Sequence, residues 1–174
     1  DTRNTQQLLA HFSIKKPLFS LREHNEKTAS EHIISLIKEG KKVAYVSDAG
    51  YPCISDPGNI LVKECNKNNV AVSTISGSSA FLSALCSSGM DSSHFYFHGF
   101  LSSKDGEAKK ELEELKEKKE TLIFYEAPHR IERTLKLIYE VLGDREFTLG
   151  RELTKINEEF IRGSLNEIDS IDYS

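Results

Sequence analysis

The residues best suited to chemistry follow three apolar runs of the sequence. The first run, 43–46, shows no polar alternation, which predicts a strand buried on both faces, as in a parallel sheet. The runs 70–75 and 121–125 predict two further strands. In open α/β sheets, ligands bind just beyond the carboxyl ends of the strands. The loops after these runs are therefore candidate binding loops, and the predicted fold class is α/β.

The loop after the first run, 47–58, is called the signature loop below. Its first part, Ser47–Gly50, reads Ser-Asp-Ala-Gly and is nearly repeated by Ser55–Gly58, which reads Ser-Asp-Pro-Gly. The second copy is typical of a helix start, with Pro57 as the first helical residue and Ser55 or Asp56 as the N-cap. From its residues alone, the loop is open to two interpretations, a plain turn or a ligand-binding loop.

The loops after the second and third runs offer different chemistry. Ser76–Ala80, called the small-residue loop below, lets a ligand approach the backbone, and the N–H groups of the next helix suit a carboxylate or a ribose hydroxyl. A serine hydrolase is the competing interpretation, but Gly77–Phe81 lacks the closing glycine of a nucleophile elbow. The third loop carries a carboxylate, an imidazole and a guanidinium on Glu126, His129 and Arg130. Taken alone, these three residues are most simply a solvated helix start.

Composition limits the classes of protein. Hydrophobic residues make up 38% and charged residues 29% of the chain, which is typical of a globular protein. No apolar run approaches the roughly 20 residues that span a bilayer. The net charge is −4, so an RNA partner would have to bind a local basic face. The three cysteines are widely spaced and form no metal-ligand pattern, which favours a reduced, cytoplasmic setting. Neither a dinucleotide fingerprint nor a P-loop occurs.

Four segments of the chain resemble the tetrapyrrole methylase superfamily, in the same order as in that family. They are the start of the chain, the signature loop, the third loop with the end of its strand, and the Arg-Glu-Leu-Thr-Lys…Arg-Gly stretch, at 1–5, 47–58, 124–130 and 151–163. The chain differs from the family pattern at Tyr51, where threonine is usual, and at Ser76 and Ser78, where prolines are usual. Within the superfamily the sequence is most similar to 2′-O-methyltransferases that act on a cytidine of 16S ribosomal RNA.

The resemblance implies two small α/β domains, 1–93 and 94–174, with a cofactor cleft between them. It also implies S-adenosylmethionine as the cofactor, a homodimer, and 16S ribosomal RNA in the small ribosomal subunit as the substrate. The family's first strand and its glycine-containing loop have no counterpart here, so the chain is expected to be truncated at both ends. A chain of this kind is expected to bind the cofactor weakly or not at all.

The resemblance also implies roles for individual residues. The expected cofactor-binding residues are Asp48, Ala49, Gly50, Ile54, Ser79, Ala80, Tyr125 and Glu126. The candidates for a general base at the 2′-hydroxyl are Asp1 and Glu126, and the expected RNA-binding residues are Arg3, Arg130, Arg151 and Lys155. No metal ligand is expected. Two rival interpretations remain: a methyltransferase of the same fold that acts on a tetrapyrrole or another small molecule, and a fragment without activity.

Overall fold

The computed structural model describes residues 1–173. The helices are α1 (Thr2–His11), α2 (Glu26–Lys38), α3 (Asn59–Lys67), α4 (Ala80–Ser88), α5 (Asp105–Leu115) and α6 (Ile131–Leu142). The strands are β1 (Phe95–Phe100), β2 (Thr121–Tyr125), β3 (Glu146–Arg151) and β4 (Glu159–Ser164). Short 3₁₀ turns occupy Glu23–Asn25, Pro128–Arg130 and Leu165–Ser170. Among the described helices, none combines the length and apolar character needed to cross a membrane.

The described chain divides into two compact units. The N-terminal unit is Asp1–Ser79 and contains α1 to α3, while the C-terminal unit begins at Ala80 and contains the other helices and all four strands. The mixed helix and strand content agrees with the predicted α/β class. Helix α4 belongs to the C-terminal unit, and the domain boundary expected between 93 and 94 stays a prediction for the whole protein.

Two of the predicted strands are wrong for this structure. The runs 43–46 and 70–75 form neither strand nor helix. A strand exists only where its backbone N–H and C=O groups pair with a neighbour, and neither run is paired among the described residues. Their apolar side chains stay partly in solvent, with Val46 49% and Ile75 93% exposed. Apolar composition predicted a buried strand, but the partner strand that such burial requires is not among residues 1–173.

The N-terminal unit is held by the packing of α2 on α3. Ile33 and Ile34 of α2 meet Leu61 and Cys65 of α3 in one buried cluster. The four-residue spacing of the two α3 members places them on one face of that helix. Burying an isoleucine or leucine side chain contributes about 1.5–3 kcal/mol, so this cluster stabilises the packing of α2 on α3.

The C-terminal unit contains two separate two-stranded sheets. Strands β1 and β2 pair in parallel from Phe95↔Thr121 to Phe100↔Tyr125, with a shift of register between Phe97 and Gly99. Strands β3 and β4 pair as an antiparallel hairpin. Strand β2 confirms the strand predicted for 121–125. The last turn begins with a capping box, in which the Ser164 backbone N–H donates to Glu167.

The core of the C-terminal unit lies between α5 and α6. Leu112 of α5 is completely buried, and Leu135, Ile138 and Leu142 follow each other at helical spacing on α6. These residues pack with Leu165, at the start of the last turn. The amphipathic face of α6 therefore fixes the helix that follows the third candidate loop.

Candidate functional site

The signature loop and the small-residue loop lie side by side in the N-terminal unit. The Tyr51 hydroxyl accepts a hydrogen bond from the Gly77 N–H at 3.0 Å. A Cβ built on Gly50 would lie 3.7 Å from the Ser78 carbonyl oxygen. Within the signature loop, Ser47 Oγ donates to the Gly50 carbonyl oxygen at 2.8 Å, and Gly50 adopts a φ of +70°. The structure thus brings together the two loops that the sequence selected separately.

A buried carboxylate fixes the far end of the signature loop. Glu26 of α2 accepts hydrogen bonds from the Gly58 N–H at 2.7 Å and from the Ile60 N–H at 2.8 Å. This carboxylate satisfies N–H groups at the start of α3, which have no partner within the helix. The helix therefore begins at Asn59 with Gly58 as its N-cap. The prediction of Pro57 as the first helical residue, capped by Ser55 or Asp56, is wrong because the cap comes from another helix.

Tyr45 fixes the same end of the loop. Its hydroxyl donates to the Pro57 carbonyl oxygen at 2.5 Å. Burial, followed by the negative charges of Asp56, Cys53 and Glu26, raises the pKa of Tyr45 to about 12. The folded state therefore binds the phenolic proton more tightly than the unfolded chain, whose tyrosine pKa is about 10.

We expect the N-terminal unit to lose stability as the pH rises from about 10 to 12. The contribution of Tyr45 is complete below the unfolded pKa and disappears as the pH passes the folded pKa. Denaturant unfolding at a series of alkaline pH values measures the change. Tyr45→Phe should remove this dependence, whereas Tyr139→Phe, at an exposed position on α6, should keep it. The same alkaline loss of stability in both variants would contradict the assignment.

Asp1 and Asp48, two predicted site residues, lie next to each other. The backbone nitrogen of Asp1 donates to Asp48 Oδ1 at 2.9 Å. The Asp1 carboxylate is the N-cap of α1, accepts the Arg3 N–H at 2.9 Å and forms an ion pair with the Arg3 guanidinium. The Asp48 side chain is 50% exposed, so it can still bind a ligand.

Tyr125 is hydrogen-bonded to the first turn of α4 in the C-terminal unit. Its hydroxyl accepts a hydrogen bond from the Phe81 N–H at 3.2 Å. Its ring packs edge-on against Phe97, which stacks on Phe81. Tyr125 and Ala80, both predicted cofactor residues, are therefore joined through the first turn of one helix.

Glu126 is buried and its carboxylate is fully engaged. Its side chain is 4% exposed, and Oε1 accepts from the Ala127 N–H at 2.7 Å and from Arg130 Nε at 2.7 Å. The second oxygen, Oε2, accepts from Thr134 Oγ1 at 2.6 Å. Arg130 also donates to the Leu101 carbonyl oxygen at 3.3 Å. These bonds tie the end of β2 to the first turns of α6.

Each predicted RNA-binding cation has an acidic partner. Arg3 pairs with Asp1, Arg130 with Glu126, Arg151 with Glu159, and Lys155 with Glu152. The Arg130 side chain is only 20% exposed, whereas the side chains of Arg3 and Lys155 are 85% and 65% exposed. Exposed ion pairs of this kind contribute about 0–1 kcal/mol, so their cations can exchange a carboxylate for a phosphate at little cost.

Several residues of this arrangement were missed in the sequence. Thr134 lies eight residues after Glu126, a separation with no local rule, and Glu26 reaches α3 from another helix. Tyr51 stands out only as a departure from the usual threonine. The Glu126–Arg130 pair is local in sequence, but Glu126 precedes the 3₁₀ turn, so the four-residue rule of helices does not predict it.

Comparison with known proteins identifies the family of this chain. The family model "Tetrapyrrole (Corrin/Porphyrin) Methylases" matches residues 1–169. A Bacillus subtilis protein named ribosomal RNA small subunit methyltransferase I is 49% identical over 168 residues, which are 97% of this chain and 58% of that protein. Proteins of the same name from Thermotoga maritima and Synechocystis are 46% and 43% identical over 96% and 95% of this chain, and over 75% and 60% of their own length. The chain thus spans little more than half of the Bacillus relative, and it belongs to the tetrapyrrole (corrin/porphyrin) methylase family.

Proposed function

We propose that the protein of which this chain is part transfers a methyl group from S-adenosylmethionine to the 2′-oxygen of a cytidine ribose in 16S ribosomal RNA. The observation that carries the proposal is the adjacency of the signature loop and the small-residue loop, joined by the Tyr51–Gly77 hydrogen bond at 3.0 Å. The names of the relatives, which are 43–49% identical, support a substrate in small-subunit ribosomal RNA. A cytoplasmic homodimer that acts on the small ribosomal subunit is part of the same proposal.

The residues of these loops fit S-adenosylmethionine. Asp48 offers a half-exposed carboxylate, which suits hydroxyl or ammonium groups of a ligand. A Cβ on Gly77 would meet nothing within 4 Å, so the backbone there is open to close approach. Asp48, Ala49, Gly50, Ile54 and Ser79 are the proposed binding residues of the N-terminal unit. Ala80, Tyr125 and Glu126 are the proposed binding residues of the C-terminal unit. Glu126 would act indirectly, by holding the turn between β2 and α6 in place.

The main task of the chain's own residues is to hold the methyl group and the ribose 2′-oxygen in the correct relative position. When bound, S-adenosylmethionine supplies a methyl group activated by a positively charged sulfur. Holding a nucleophile in line with such a group supplies up to about 7–11 kcal/mol of the barrier. Of the two candidates for the general base, we favour Asp1. Both of its oxygens accept bonds from Arg3, but the Arg3 side chain is 85% exposed and can move away, whereas the Glu126 side chain is only 4% exposed.

We expect Asp48→Ala in the full-length protein to weaken the binding of S-adenosylhomocysteine by about 10-fold to 100-fold, the loss typical of one hydrogen bond to a charged group. Gly50→Val should weaken it as well, because valine is strained at a φ of +70°. Isothermal titration calorimetry measures both. Asp56→Ala, at an exposed position of the same loop, is the matched control and should bind as the parent does. Unchanged affinity in both site variants would overturn this site.

We expect the loss of Arg3, Arg151 or Lys155 to weaken RNA binding in a salt-dependent way. Each lost phosphate contact should reduce the log–log salt slope by about 0.7–0.9. Filter binding of small-subunit RNA at several salt concentrations measures the slope for each alanine variant. Lys109→Ala removes a similar exposed ion pair, with Glu140, and is the control. Arg130 is a poor test because its loss also removes the partner of Glu126. Unchanged slopes would reject these residues.

The substrate is tested by methyl transfer from tritiated S-adenosylmethionine. Small ribosomal subunits that lack the modification and a tetrapyrrole precursor are offered in parallel to the full-length protein. Label on a cytidine ribose is the expected result. Label on the tetrapyrrole alone would support the rival that the family's name suggests, and would overturn the RNA substrate while leaving the family intact.

A further inference from the structure

A β-bulge near the end of β1 decides which face of the sheet carries Phe100. Strand β1 pairs with β2 in regular register up to Phe97, and the pairing resumes at Gly99, so His98 is the extra residue of the bulge. Gly99 carries the backbone through the bulge with a φ of +84°. In a regular strand, Phe97 and Phe100 would lie on opposite faces, because side chains alternate. The bulge places both rings on the same face.

The face that carries Phe100 also carries Tyr125, its partner in the register. The two ring centroids lie 5.6 Å apart at an angle of 59°. Tyr125 is itself fixed, since its hydroxyl accepts the Phe81 N–H and its ring packs edge-on against Phe97. Helix α4 covers the earlier part of this face, where Phe81 stacks on Phe97. Phe100 is 55% exposed, so an aromatic ring is supported on one side and open to a ligand on the other.

The position of the ring is one where ligands bind. Strands β1 and β2 run parallel and end together at Phe100 and Tyr125. In open α/β sheets, ligands bind just beyond the carboxyl ends of the strands. Bulges are frequent next to such sites because they change the direction of a side chain. The bulge and the strand end therefore both indicate that the exposed ring of Phe100 contacts a ligand.

The surroundings of the ring favour a nucleotide as that ligand. Two guanidinium groups, of Arg130 and Arg133, each donate to a backbone carbonyl oxygen of the segment 101–104 that follows Phe100, at 3.3 and 2.9 Å. Arg133 and its acidic partner Asp105 are both exposed, so this cation can exchange the carboxylate for a phosphate. A single ring beside cations suits a base and its phosphate, whereas an apolar protein partner requires a wider apolar patch.

We propose that Phe100 stacks on a nucleobase of the RNA substrate and so holds the RNA strand at the carboxyl ends of β1 and β2. This inference rests on the proposed function and adds to it a residue that holds a base, since the cations assigned to RNA above contact phosphates. A base that stacks on a side chain has left the stack of its neighbours. The segment of RNA that is bound is therefore single-stranded or looped.

The test compares variants of the full-length protein in filter binding of small-subunit RNA. We expect Phe100→Ala to weaken binding by about 5-fold to 150-fold, the loss typical of one base–aromatic stack. Phe100→Tyr keeps the ring and should bind as the parent does, whereas Phe100→Leu is apolar without a ring and should bind as weakly as the alanine variant. Phe95→Ala is the matched control, because it removes a ring that is 41% exposed from the amino end of the same strand.

Two further measurements separate stacking from other roles of the ring. The log–log salt slope of RNA binding should be the same in Phe100→Ala as in the parent, because a stacked base releases no counterions. The affinity for S-adenosylhomocysteine, measured by isothermal titration calorimetry, should also be unchanged, because the stacked base belongs to the RNA.

Methyl transfer by the parent separates a failure of this inference from a failure of the proposed function. If the parent labels only the tetrapyrrole, the proposed function fails and the stacking of RNA on Phe100 fails with it. If the parent labels RNA, three results overturn the role of Phe100 alone. They are unchanged RNA affinity in Phe100→Ala, parental affinity in Phe100→Leu, which would make the ring a plain apolar contact, and weaker binding of S-adenosylhomocysteine, which would place the cofactor's adenine on the ring.

Discussion

Replacing Glu126 with alanine is expected to destabilise the C-terminal unit by about 3–5 kcal/mol, because it leaves the Arg130 guanidinium, 20% exposed, without its charge partner. The substitution also removes the acceptor of two hydrogen bonds, from the Ala127 N–H and from the hydroxyl of Thr134. Thr134 is a buried residue, so its hydroxyl would have no water to bond to instead. Glu126→Gln should cost less, since an amide oxygen still accepts one of these bonds. Denaturant unfolding followed by circular dichroism measures the free energy of unfolding.

The control is Glu132→Ala, in the first turn of α6. Glu132 pairs with Lys136 at 2.8 Å, but both side chains are at least half exposed, so the loss should be about 0.3–0.5 kcal/mol. If Glu126 were a general base, its replacement would lower methyl transfer more than stability, whereas loss of a buried structural carboxylate lowers stability. If Glu126→Gln abolished methyl transfer and left the stability unchanged, the role of Glu126 as a positioning residue would be wrong.

The C-terminal strands were predictable because their partners are local or near in sequence. The hairpin from Glu146 to Ser164 needs only a turn, and β2 pairs with β1 about 25 residues earlier. The runs 43–46 and 70–75 have the same apolar composition, yet they form no strand. Composition reports what a segment would bury, whereas a strand also requires a neighbour, and only the three-dimensional structure shows whether one is there.

The loops of the candidate site were predictable, but their connections were not. The ends of the predicted strands 43–46 and 70–75 selected the signature loop and the small-residue loop, because ligand sites of α/β proteins lie at strand ends, although these two runs form no strand here. The Tyr51–Gly77 hydrogen bond joins residues 26 positions apart, and Glu26 caps a helix from 32 positions away. Sequence patterns encode neighbours within a few residues, so long-range bonds of this kind stay hidden until the chain is folded.

Replacing Gly58 with alanine is expected to destabilise the N-terminal unit by about 2–4 kcal/mol, the sum of an unfavourable backbone and an overpacked site. Gly58 adopts a φ of +135°, which side chains other than hydrogen rarely allow. A Cβ would lie 2.6 Å from Cys53 Sγ and 2.7 Å from the Tyr45 ring. The thiol can rotate away, but the ring is held by the hydrogen bond from its hydroxyl to Pro57.

The matched control is Gly106→Ala, in the first turn of α5, where a Cβ would meet nothing within 4 Å. Alanine has a higher helix propensity than glycine, so this substitution should stabilise the protein by up to about 1 kcal/mol. The same chemical change is therefore expected to have opposite signs at the two positions, as measured by denaturant unfolding. Since Gly58 also donates its N–H to Glu26, its displacement should uncap α3 and loosen the signature loop. Gly58→Ala should then weaken S-adenosylhomocysteine binding as well, and an unchanged affinity together with unchanged stability would show that the close packing around Gly58 does not hold this loop.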